Sequence, residues 1–116
     1  GGRYLVDEFR RGSCGTMPAG HITDAHVQLW HALENGGIDE EGLQIVTDEA
    51  RGIWEQMIPS LNFEFMFGAN AYKAAYWRRG IIRTPLTRNP ANKSLDKLDY
   101  EELDKILDRM SDLLNG

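Results

Sequence analysis

The ten residues 11–20, RGSCGTMPAG, constrain the fold of this chain more than any other stretch. After the opening arginine they carry no charge and show neither helical spacing nor strict alternation, although helical patterns stand on both sides. A catalytic loop, a phosphate cradle and a buried strand of something larger are the readings they offer. Residues 14–18 are the one segment able to form a fully buried strand. A single strand cannot satisfy its own main-chain donors and acceptors, so it needs neighbours that the remaining sequence does not supply.

Around this stretch the chain reads as helices. YLVDEFRR places Tyr4, Leu5 and Phe9 near one side, and Gly12 stops it. From Thr23, which can cap, Ala25, Leu29, Trp30 and Leu33 form a stripe that Asn35, Gly36 and Gly37 end. Asp39 is read as the cap of a helix burying Leu43, Val46, Ala50, Ile53, Trp54 and Met57, with a break or kink at Pro59. Phe63, Phe65, Met66, Tyr72, Ala75 and Tyr76 populate the next helix, where Gly68 is a packing contact or an interruption and Gly80 closes the run. IIRTPLTRNPANKS reads as a loop packing through Ile81, Ile82 and Leu86. The last helix takes Asp99 as cap and Glu102 at its third position, with Leu98 and Leu103 as staple. Its face of Leu103, Ile106, Leu107, Met110, Leu113 and Leu114 must be covered by another helix or subunit.

With 116 residues, 41% of them apolar, one domain is expected rather than two. The net charge of −5 repels a phosphate backbone, and the cluster Arg78, Arg79, Arg83 and Arg88 reads as a solvated helix end and loop, so nucleic acid is not an expected partner. A single cysteine rules out an internal disulfide framework and favours a reducing, cytoplasmic setting. No apolar run has the length to span a bilayer, no charged-then-apolar leader opens the sequence, and no membrane partner is expected. The opening Gly1-Gly2 reads as a tag remnant or a cut from a longer polypeptide.

RGSCGTMPAG lacks the lysine and spacing of a nucleotide-binding loop. Cys14 would be a nucleophile only with His21 or His26 as base, the arrangement of a small cysteine hydrolase; a buried, inert thiol is the plainer reading. His21, His26 and His31 recur every five residues and scatter around a helix, so no metal site is expected. Lys73, among Tyr72, Ala74, Ala75 and Tyr76, is either desolvated as a Schiff-base lysine must be or extended to solvent along the tyrosines. Tyr72 or Tyr76 is an acid or an aromatic wall.

In order and spacing, GGRYLVDEFRRGSCGTMPA, the NGG helix end, AxxIWEQMIP, ANAYKAAYWRRGII and the proline loop before a terminal helix resemble the C-terminal part of the dihydrodipicolinate synthase and N-acetylneuraminate lyase family. The resemblance implies a mostly α chain that is the C-terminal part of a (β/α)8 TIM barrel, with one strand and four to six helices. Residues 1–20 would be the last barrel helix-strand unit before the final helix, and residues 21–116 the eighth barrel helix and a helical extension, together one partial domain. It implies a lyase or aldolase forming a lysine Schiff base with a pyruvate-like 2-oxo acid, needing no cofactor. The catalytic lysine and tyrosine would lie upstream of Gly1, leaving no catalytic residue here and an inactive isolated chain.

By the same resemblance, Ser13, Thr16, Ala19 and Gly20 match the eighth-strand pattern, and Thr16, Met17 and Pro18 would wall the substrate pocket. Gly15, Lys73, Gly80, Arg88 and Pro90 would be structural, with Arg83 and Pro85 as the lesser match for the last pair. The partners implied are the missing barrel strands or further copies of the chain. The rival reading is a helical, self-associating interaction module without catalysis.

Overall fold

The computed structural model of the chain describes residues 2–88 and 94–115. Five α-helices occur among these residues: α1 (Leu5–Arg10), α2 (Thr23–Glu34), α3 (Asp48–Phe67), α4 (Ala69–Arg78) and α5 (Lys97–Arg109). Short 3₁₀ turns lie at Gly20–Ile22 and Ser111–Leu113. No β-strand is present among the described residues, only an isolated antiparallel bridge between Ile38 and Gln44. The expectation of an eighth barrel strand is therefore corrected. Residues 14–18 are irregular, with Cys14, Gly15 and Met17 exposed, so water can satisfy the groups that a buried strand would have left unpaired. Among the described residues the fold class is all-α, with no part of a (β/α)8 barrel.

Helix α3 is central, packing against α2, α4 and α5. Leu29 and Leu33 from α2, Met57 and Leu61 from α3, and Met110 after α5 are almost wholly buried, together with Leu5 and Ile22. Truncating one such leucine to alanine costs about 2–5 kcal/mol. The apolar face of α5 is covered within the chain: Leu103, Ile106, Met110 and Leu113 are buried, and α5 packs against both α3 and α4. Across the α4–α5 seam, Arg78 pairs with Asp104 at 3.0 Å and lies over the rings of Trp77 and Tyr100.

Helix limits depart from the sequence reading for local reasons. α3 begins after Thr47, whose hydroxyl accepts the Ala50 amide at 3.1 Å, while Asp39 instead binds the Glu41 and Leu43 amides of a turn. Pro59 does not break α3, because packing along twenty residues outweighs one missing amide. Gly68, at φ 56°, separates α3 from α4. α5 is capped by Asp96, reciprocally with Asp99, three residues ahead of the expected cap. Gly80, at φ 74°, closes α4: its amide reaches the Trp77 carbonyl and the Ile81 amide reaches that of Tyr76.

Candidate functional site

The irregular segment leans over α2 and forms a groove of about 330 Å³, bounded by Cys14, Thr16 and Pro18 on one side and Val27, Trp30 and His31 on the other. Thr16 and Pro18 thus face the groove, whereas Met17 is 94% exposed. The Ser13 hydroxyl donates to the Gly15 carbonyl at 3.0 Å. Cys14 is exposed, which corrects the buried-thiol reading, and its sulfur lies 3.8 Å from the Gly12 carbonyl oxygen. Of the two proposed bases, His26 borders this groove with Nδ1 3.2 Å from the Ile22 carbonyl oxygen, while His21 is held in a different seam.

That seam lies between the Gly20–Ile22 turn and helices α3 and α4. The His21 ring is 2% exposed and stacks at a tilt on Tyr72, with centroids 5.3 Å apart, while Tyr76 approaches edge-on. Its Nε2 is 3.7 Å from Glu64 Oε2, beyond hydrogen-bond reach, and neither His21 Nδ1 nor Glu64 Oε2 has a hydrogen-bond partner among the described residues. Burial is the main cause that lowers the His21 pKa to about 4, with His26 and Arg79 acting in the same direction. Burial likewise raises the Glu64 carboxyl. At neutral pH the ring is neutral, so the two do not form an ion pair.

Beside them Arg79 reaches back to the turn, donating to the His21 carbonyl at 2.6 Å and to both oxygens of Asp24 at 3.2 and 2.5 Å. Asp24 also accepts the Asn115 amide at 2.8 Å. Burial raises the Asp24 carboxyl, but the Arg79 hydrogen bond and the Asn115 and Ala25 amides together outweigh it and hold the group below its ordinary value.

On another side of α3, Trp54, Ile58 and Phe65 fall on one helical face. Together with Tyr4 they make an apolar shelf, 63% exposed at Tyr4 and 72% at Phe65. A hollow of about 630 Å³ opens between Tyr4, Trp54 and Ile58, with Arg3 and Glu55 at its rim. The Arg3 guanidinium lies 4.2 Å over the Phe65 ring, and Arg51 pairs with Glu55 at 3.2 Å. The sequence reading buries Trp54, which is partly buried against the core, and places Phe65 in a helix without saying which way it faces. NFEFMF, residues 62–67, held the signal for an exposed ring, since a helix apolar on every side cannot bury all of its rings against one partner.

The residues singled out from sequence do not converge. Lys73 is half-buried on α4, and its ammonium donates to the Leu86 carbonyl at 2.9 Å, tying down the segment after α4. Gly80 ends that helix, Gly15 lies in the irregular segment, Arg88 is exposed, and Pro90 lies outside the described residues. His31 is exposed on α2 while His21 and His26 are buried. Among the described residues no three His, Cys, Asp or Glu side chains gather as a metal-binding group. None of the described helices is long and apolar enough to cross a membrane.

Comparison with protein-family models, curated proteins and solved structures gave no match. The resemblance to the dihydrodipicolinate synthase and N-acetylneuraminate lyase family is corrected accordingly: no match accompanies it, and the segment required as a strand is exposed coil. The Schiff-base aldolase activity, the 2-oxo acid substrate and the partners that would complete a barrel all depended on that strand and fall with it.

Proposed function

We propose that this chain is a helical interaction module, which works by burying the Tyr4–Trp54–Ile58–Phe65 shelf against another protein surface. The exposure of Phe65 on a face it shares with Trp54 and Ile58 carries the reading, because contiguous apolar surface of this kind marks contact sites. Arg3, Arg51 and Glu55 give the shelf the charged rim that surrounds an apolar contact centre. Residues 1–116 act in this reading as one domain. Thr16, Met17 and Pro18 enter it as loop contacts for a partner rather than as a substrate wall. A reducing, cytoplasmic setting belongs to it as well, supported by the single free thiol of Cys14.

The test is a photo-crosslinking amino acid at position 65, compared with one at Glu101 on the exposed side of α5. Discrete protein adducts from position 65 alone, a doubled chain included, are the expected result. Equal labelling from both positions, or none from 65, would refute the module.

A further inference from the structure

We propose that His21 is an acid-released latch: protonation of its ring frees the segment just ahead of Ile22 from the seam between α3 and α4, while the other helices stay packed. The inference stands on the seam and not on the apolar shelf. The ring is enclosed, and its Nδ1 has no acceptor among the described residues, so a second N–H formed there has nowhere to donate. The charged groups around it oppose a cation. Just beyond α4, Arg79 holds a guanidinium against the His21 carbonyl, and from α4 Tyr72 and Tyr76 present rings. From α2, His26 is a second base and the charge of Asp24 is already taken by Arg79. From α3, Glu64 is the one remaining acid, and burial favours its neutral form.

The backbone is arranged to let go locally. Ile22 is fully buried and begins no motion, but residues 13–19 have no regular structure, so they can swing without unwinding a helix. Gly20 packs so closely on Tyr76 Oη that a Cβ would collide with it, and departure of the turn uncovers Tyr72 and Tyr76. Tyr72 and Glu64 also line a cavity of about 220 Å³ that runs to Arg3 and Phe65, so the released seam is continuous with the shelf.

Amide hydrogen exchange of the full chain tests this, corrected for the intrinsic effect of pH. With the enclosed ring titrating at about 4 and a released one at 6.5, exchange at residues 20–22 should rise about 20-fold between about pH 7 and about pH 5. Exchange along α5 should stay unchanged. His21→Phe should abolish the rise, and His21→Gln, which keeps a polar side chain, does so if the first variant fails to fold. Glu64→Gln should retain it. Absence of the rise, equal acceleration in α5, persistence in either His21 variant, or loss in Glu64→Gln would each overturn the latch. The last outcome would mean that the proton is shared with Glu64 in a closed seam.

Discussion

At Gly20 the seam allows no side chain, because a Cβ would meet the hydroxyl oxygen of Tyr76. Gly20→Ala should therefore cost about 1–3 kcal/mol in urea denaturation, and much of that loss should return in the double variant Gly20→Ala/Tyr76→Phe, which removes the obstructing oxygen. His21 gives a second prediction at this scale. Its pKa is lowered on folding from 6.5 to about 4, so the unfolded chain binds the proton more readily and the associated stability is complete only above 6.5. That stability drains as pH falls toward 4, by about 3 kcal/mol in all. Glu64, raised by burial, has the opposite slope: its contribution is present below the ordinary carboxyl value and lost as pH rises through the folded one. Comparing wild type with His21→Gln across this range isolates the histidine, and parallel stability curves would contradict the assignment. None of this was legible in GHITDAH, because even spacing shows where histidines point on a helix and not that a turn ahead of α2 presses one against α4.

Helices were read well by their stripes and poorly by their ends. Leu29 and Leu33, Met57, and Leu103 with Ile106 are buried as their spacing foretold, since the pattern reports which face meets the core. Caps depend on which of several acids the incoming chain brings within reach. LDKLDYEE offers both Asp96 and Asp99, and the helix starts at the earlier acid, which Asp99 supports from inside. Asp96→Ala should cost about 1 kcal/mol in thermal or urea unfolding, while Glu102→Ala should have little effect. A larger loss from Glu102 would restore the cap expected at Asp99. Between α2 and α3 the chain is pinned in the same local manner: a Cβ at Gly36 would run into the Ile45 carbonyl, a backbone obstacle that no second substitution can remove.

Taken as one body, the described chain is elongated, 52 × 27 × 21 Å, with a radius of gyration of 15.5 Å against about 13 Å expected for a compact domain of this length. A long thin body keeps more of its apolar residues at the surface, which is the setting of the shelf. Phe65→Ser should leave the unfolding midpoint nearly unchanged, because the ring is 72% exposed, yet abolish the capture of partners by a photo-crosslinker moved to Tyr4. A large loss of stability would instead make Phe65 a core residue. The strand assigned to residues 14–18 failed at this scale as well. An uncharged, aperiodic segment fits burial by neighbours and exposure as coil equally well, and only the packing of the whole chain separates the two.

The lone sulfur at position 14 also offers a handle. Cys14 is the chain's single cysteine, it is exposed, and it stands across a groove from the indole of Trp30. A fluorophore coupled there would be quenched while the irregular segment lies over α2 and brighten as that segment lifts, turning the chain into its own optical gauge of loop position.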